Sequence, residues 1–272
     1  MKIFAKPRKR PRVRSVIGLA GCFSSYAIIG GFGQKLRGFL GFMNLISLQN
    51  LGLKDYGEAL KTMMTAHSQR VHCEIPDTIF IVEHNPVITR GRRLQGQQIP
   101  SQDEIEKRGI LVCDADRGGL LTYHGPGQVV VYFVIELAQY ALGISDFVTQ
   151  LEIVLLDFLN VYGVKALRLP DHPGIWVGEQ KIASLGLRVE KGVTRHGISL
   201  NICNDLSIYQ LFDPCGLPGT TMTNLQTVLK RKISAEEFQE MKNHLGQMFC
   251  TGLELARGGG LIACKKPRKC FS

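Results

Sequence analysis

The run Gln128–Leu137, QVVVYFVIEL, constrains the fold more than any other stretch of this chain. Every residue from Val129 to Ile135 is apolar, so a strand here must bury both of its faces, whereas a half-wetted strand would alternate. Covering both faces of a sheet takes helices, and the chain supplies them. Residues 54–69 place Leu60, Met63, Met64 and His67 at helical spacing. Residues 146–162 carry a stripe of Phe147, Leu151, Val154, Leu155, Phe158, Leu159 and Tyr162, with Ser145 as the expected cap and Gly163 as the stop. A last helix is expected from Ser234, where Glu237 three residues on completes a capping box.

The other segments fit around that strand. MNLISLQNLG, 43–52, reads as an edge strand, and DTIFIVEHNPVITRG as a strand that breaks at Asn85-Pro86 and resumes. Residues 102–109 read as a short polar helix ending at Gly109, and ILVCDADRGG as a strand leading into a glycine-rich loop. Turn signals at Gly178-Glu179 and Glu190-Lys191-Gly192 fold PGIWVGEQKIASLGLRVEKGVTRHGISLNI into a three-stranded meander. The expected fold class is α/β, one domain over about 43–255 with a mixed sheet and flanking helices.

Charge separates this body from its ends. Of 33 Lys/Arg, nine lie in the first 49 residues, which hold no acid, and four lie in KKPRK at 265–269; the body keeps 20 against 23 acids. A basic face within the fold is therefore not expected, and nucleic acid is excluded as a partner. Residues 1–42 form a basic extension with three readings: a gene-model extension ahead of Met43, a mitochondrial transit peptide, or an export or membrane segment, for which LAGC at 19–22 and the uncharged stretch 15–34 speak. The expected location is the cytoplasm, or the mitochondrion if 1–42 is a transit peptide. Residues 256–272 are expected to be a disordered basic tail. The eight cysteines form no C-x-x-C pair and no zinc spacing, which suits a reducing compartment and predicts no metal.

Four places can carry chemistry. RGGLLTYHGPGQ, 117–128, crowds glycines around His124; it is either a turn with a surface histidine or a backbone shaped to admit a ligand at Gly118, Gly119, Gly125 and Gly127. Lys181 opens KIASLG; it is either a strand-end charge in solvent or an inward cation able to depress a thiol's pKa. His196 stands in RHGISLN, where a structural role is the commoner one. Cys215, in DPCGLPG, has proline and glycine neighbours on a loop, unlike Cys73, Cys113 and Cys203 in or beside strand-like stretches; on local grounds it is the nucleophile candidate.

Taken in order, RGGLLTYHGPGQ, PGIWVGEQKIASLGLRV, RHGISLNI and PCGLPG, with EHNPVITRG at 83–91, resemble the octanoyltransferases of lipoate biosynthesis over about residues 43–250. The resemblance implies the fold of biotin and lipoate ligases. It implies transfer of octanoyl from octanoyl-acyl carrier protein to a lysine of lipoyl domains, those of 2-oxoacid dehydrogenases and the glycine-cleavage H protein, by a monomer with no cofactor. It further implies that Cys215 becomes acylated and that Lys181 lowers its pKa. The substrate-contacting segments it implies are Arg117, Gly118, Gly119, Leu120, Leu121, Thr122, Tyr123 and His124; Ser184, Leu185 and Gly186; and His196, Gly197 and Ile198. Leu120 departs from the polar or small residue of many relatives. Arg90, Arg92, Arg93 and Arg195 are the basic residues expected at the pocket mouth for acidic protein partners. Two rival readings are an ATP-dependent lipoate or biotin ligase, to which TRGRRLQG at 89–96 bears a superficial likeness, and a non-catalytic carrier-binding protein.

Overall fold

The apolar run becomes β6 (Gln128–Val134), third of seven strands in a mixed sheet, and every one of its residues is buried. The computed structural model describes residues 46–94, 102–169, 172–212 and 221–257, all within the unit Asn44–Ser272. The strand order is β1 (Ser47–Lys54), β2 (Thr78–His84), β6, β10 (Val193–Asn201), β9 (Gln180–Glu190), β8 (His172–Val177) and β7 (Leu167–Leu169). Only β1 and β2 pair in parallel; the other neighbours are antiparallel. The alternation along β6 assigns its two faces. Val130, Tyr132 and Val134 pack with Ala59, Met63 and Ala66 of α1 (Tyr56–Val71). Val129, Val131 and Phe133 face the larger core, built on α3 (Ile144–Val161) and α5 (Ala235–Arg257). There the Phe133 ring meets Phe147 at 5.9 Å and Phe249 at 5.0 Å, both edge to face. Each such fully buried apolar side chain contributes about 1.5–3 kcal/mol.

The expected mixed sheet with flanking helices is present, and a second, smaller sheet is added to it. After the Asn85-Pro86 break the chain does not rejoin the large sheet. β3 (Val87–Arg90) instead pairs in parallel with β4 (Leu111–Asp114) and antiparallel with β5 (Leu121–His124), forming a second, three-stranded sheet. The Thr-Tyr-His run is thus strand rather than loop, and α2 (Gln102–Lys107) lies between β3 and β4 in sequence.

Helix ends also differ from the sequence reading. α3 begins at Ile144 with Gly143, not Ser145, in the capping position. The stripe of α1 is Tyr56, Ala59, Met63, Ala66, His67 and Arg70, while Met64 is 37% exposed. At α5 the Ser234 hydroxyl accepts from the Glu237 N–H at 3.2 Å, but the Glu237 carboxylate turns to Arg231 and leaves the box half made. The expected meander forms and gains a fourth strand, β7. Its second turn has Lys191 at φ 51° and Gly192 at φ 79°, the mirror-image turn that suits twisted hairpins. A short α4 (Leu225–Leu229), capped by the Asn224 side chain, precedes α5. The expectations for 1–42 and the tail beyond 257 lie outside the described residues.

Candidate active site

Arg117 shapes the glycine-rich loop. Its Nη2 donates to Thr89 O and Oγ1, each at 2.7 Å, and to Leu120 O at 3.0 Å, while Nη1 reaches Gly118 O at 2.9 Å. The guanidinium thus folds residues 117–120 back onto β3. Gly118 N in turn donates to Leu187 O on β9 at 3.3 Å, so the loop ties the small sheet to the large one. Gly119, at φ 86°, lies so close to Gly91 that a Cβ on Gly91 would stand 2.3 Å from its carbonyl oxygen.

A cavity opens along this seam. From the loop and β5 it takes Arg117, Gly119, Leu120, Leu121, Thr122 and His124; from β9, Ser184, Leu185 and Gly186; from β10, His196, Gly197 and Ile198. Three segments far apart in sequence therefore meet in one wall. Gly118 and Tyr123 are not in it, because Gly118 backs onto Leu187 and Tyr123 points into the apolar cluster of Ile88, Ile105 and Phe212. Gly125 and Gly127 are corrected: neither lines the cavity. Gly127, at φ 83°, packs against Asn204, whose backbone N would lie 2.8 Å from a Cβ there. Sequence reasoning missed four wall residues, Tyr56, Val130, Tyr132 and Ser199.

The three histidines of this region have defined partners. Gln128 donates to Tyr123 O at 3.2 Å and Asn201 Oδ1 at 2.9 Å, so its Oε1 is left to accept from His124 Nδ1 at 2.7 Å. His124 Nε2 is then the lone-pair nitrogen. Burial, followed by the neighbouring His84, pushes the His124 pKa down to about 3. His84 donates from Nδ1 to Lys54 O at 3.0 Å and accepts from the Tyr132 hydroxyl at 2.8 Å; burial pushes its pKa down to about 4. His196 sits in mid-strand at φ 59°, its N–H turned to Met63 Sδ at 3.1 Å and its Nε2 donating to Asp116 Oδ1 at 2.5 Å. That bond first, with Arg195 and Arg188 beyond it, holds the Asp116 pKa down at about 2, while burial lowers that of His196. The pair is a carboxylate and a neutral imidazole.

Lys181 points inward, not to solvent. It is 2% exposed, with Nζ 5.5 Å from the centre of the Trp176 ring. Gly174 makes the space: at φ 126°, it would place a Cβ 2.5 Å from Lys181 Cε. The Lys181 backbone pairs with the strand-like stretch after residue 220, N to Thr221 O and O from Thr223 N, both at 2.9 Å. Lys181 is not among the residues lining the cavity. Cys215 lies outside the described residues. Of the other cysteines, Cys113, Cys203 and Cys250 are free thiols whose pKa burial raises, that of Cys250 to about 11; Cys73 is in the turn after α1, not beside a strand. Two of the expected docking arginines are engaged within the fold: Arg90 bonds Asp114 at 2.8 Å, and buried Arg195 bonds Glu190 at 2.8 Å and Asp116. Arg92 and Arg93 are exposed in a 3₁₀ turn.

Residues 55–244 match the model of the lipoyl protein ligase A/B catalytic domain, so the chain belongs to that family. Within it the chain falls with the octanoyltransferases, which are acyltransferases. It is 39% identical over 206 residues to an octanoyltransferase of Syntrophobacter fumaroxidans, covering 74% of this chain and 90% of the relative. To an octanoyltransferase of Cellvibrio japonicus it is 36% identical, over 83% of this chain and 98% of the relative. The fold is similar to that of Plasmodium falciparum LipL1 in complex with lipoate, with a TM-score of 0.61 at 18% identity, over 77% of this chain and 62% of that one.

Proposed function

We propose that this chain transfers octanoyl from the thioester of octanoyl-acyl carrier protein to a lysine of lipoyl domains, with Cys215 carrying the acyl group between donor and acceptor. The observation that carries the reading is the convergence of the loop–β5, β9 and β10 segments on one largely apolar cavity, in a chain whose relatives are octanoyltransferases. The pairing of Lys181 with Thr221 supports the nucleophile: Cys215 is six residues before Thr221, within about 20 Å of chain reach.

The chemistry is two exchanges. The Cys215 thiolate attacks the thioester carbonyl, the new C–S bond forms, and the carrier sulfur leaves as a thiolate that takes a solvent proton. A deprotonated lysine amine then attacks the acyl-cysteine; the C–N bond forms, the C–S bond breaks, and the proton lost from nitrogen returns to the Cys215 sulfur. An unperturbed thiol, pKa about 8.5, is only about 3% ionised at neutral pH, which is the deficit an adjacent lysine corrects. His124, held near pKa 3, is too weak a base to keep a proton at neutral pH, so its Nε2 serves as an acceptor that orients the amine N–H.

The test is direct. The purified chain, octanoyl-acyl carrier protein and an apo lipoyl domain, without ATP, are expected to give a lipoyl domain heavier by one octanoyl group. Modification that needs ATP and free octanoic acid would mark a ligase instead.

A further inference from the structure

Among the described residues that line the cavity, Tyr56 carries the hydroxyl that is both shut away from solvent and without a partner in the protein; those of Thr122, Ser184 and Ser199 are not shut away in this sense. Tyr56 opens α1 and is 7% exposed, with its ring in the wall. The ring stacks on His124, centroids 6.4 Å apart and planes 8° apart, and meets His84 edge-on at 5.5 Å. Its oxygen is shut away from solvent and has no hydrogen-bond partner among the described residues. Tyr132, in the same wall, gives the contrast, since its hydroxyl is spent on His84 Nε2 at 2.8 Å. The other buried hydroxyl without a partner, on Thr223, is not in the wall. A buried polar group left unpaired is costly, and one on a residue that lines a cavity calls for a partner that the protein alone does not supply.

The neighbours indicate what that partner is. Burial raises the Tyr56 pKa well above that of a free phenol, more than the opposing charge of Arg117 lowers it, so the group is an O–H donor at neutral pH. The nearby Arg117 guanidinium is directed at Thr89, Gly118 and Leu120, and His124 presents a lone pair. A mostly apolar ligand with one acceptor oxygen complements this wall.

We propose that the Tyr56 hydroxyl donates the hydrogen bond that holds the acyl carbonyl oxygen of the substrate during transfer. This rests on the octanoyl-transfer reading above and adds a binding group to it. No proton changes hands: the bond strengthens as charge grows on the oxygen under attack and relaxes when the carbonyl re-forms.

Tyr56→Phe in the full chain tests it, since it deletes the hydroxyl and keeps the ring. The expected result is a fall of about tenfold or more in kcat/KM for octanoyl transfer, with a thermal midpoint equal to or above that of the unaltered chain, because an unpaired buried group has been removed. Activity within about twofold overturns the proposal. A midpoint lower by several degrees also overturns it, because the hydroxyl would then have a structural partner. If the unaltered chain does not use the thioester donor at all, the transfer reading falls instead. Calorimetric titration with octanoic acid then decides Tyr56 on its own: an affinity lower by about fivefold or more in the variant supports the donor, and equal affinity removes it.

Discussion

Lys181 and Thr221 are joined backbone to backbone, N to O at 2.9 Å, and this pairing brings the chain back from the Cys215 segment beside a buried lysine. An ammonium within about 4 Å of a thiolate contributes up to about 4 kcal/mol at an effective dielectric of about 20, and a third of that moves a thiol pKa by about one unit. Lys181→Met is therefore expected to raise by about one unit the pH midpoint at which Cys215 is alkylated. Gly174→Ala should raise it too, with the lysine itself intact, because the added Cβ would take the space of Lys181 Cε at a φ of 126°. Midpoints unchanged in both variants would remove Lys181 from the mechanism.

Arg117 is expected to matter for the fold before it matters for the substrate. Its guanidinium serves three backbone carbonyls and the Thr89 hydroxyl, in a geometry that a lysine does not reproduce. Arg117→Lys should cost about 2–4 kcal/mol by leaving buried acceptors unpaired. Urea unfolding with an unchanged slope and a lower midpoint is the expected readout; a stable variant with only a raised KM would make Arg117 a substrate ligand alone.

Acid should unfold this protein in two stages. His84 and His124 are neutral in the fold, with pKa values near 4 and 3, yet take up protons near pH 6.5 when unfolded. The unfolded state then binds more protons, so stability falls as pH drops from about 6.5 towards 4, by up to about 1.4 kcal/mol per histidine per pH unit. Asp116 acts lower down: its folded pKa near 2 gives stability that is present above about pH 4 and lost as pH falls towards 2. His84→Gln should make the first stage shallower, with His124 still contributing to it, and leave the second, whereas Asp116→Asn should weaken the second, in thermal midpoints measured across pH 2–8.

Much of the cavity's lining was legible through the order of the motifs and the resemblance they carry, since the local marks around His124 and His196 were equally compatible with structural roles and Ser184–Gly186 carried none of its own. The rest failed for identifiable reasons. Tyr56 begins a helix whose apolar stripe reads as core, and only the cavity behind it gives its hydroxyl a meaning. Val130 and Tyr132 lie on a strand buried on both faces, where the period of two cannot say which face holds the cavity. β5 is four residues long between glycines, and its sheet exists through the distant pairings Val87–Leu111 and Val87–His124. Whether Lys181 pointed inward could not be read from a strand-end position, because a register shift at Ile175/Trp176 precedes its pairing with Trp176 and breaks the simple alternation.

On the proposed route, His124 is expected to separate the two half-reactions. Its Nδ1 is committed to Gln128 at 2.7 Å, and its Nε2, on a ring in the cavity wall, is an acceptor with too low a pKa to store a proton at pH 7. In the proposed mechanism, acylation of Cys215 needs no acceptor there, whereas the incoming amine needs one N–H held while its lone pair faces the carbonyl. His124→Leu is therefore expected to leave release of the carrier thiol near its usual rate and to slow octanoyl appearance on the lipoyl domain about tenfold or more, so that acyl-enzyme accumulates. Because the ring does not titrate between pH 6 and 8, the pH profile of the slowed step should keep its shape. Rapid-quench mass spectrometry of the acyl-enzyme, run at pH 6, 7 and 8, measures both quantities; an ionisation near 6.5 that disappears in the variant would make His124 a proton carrier after all.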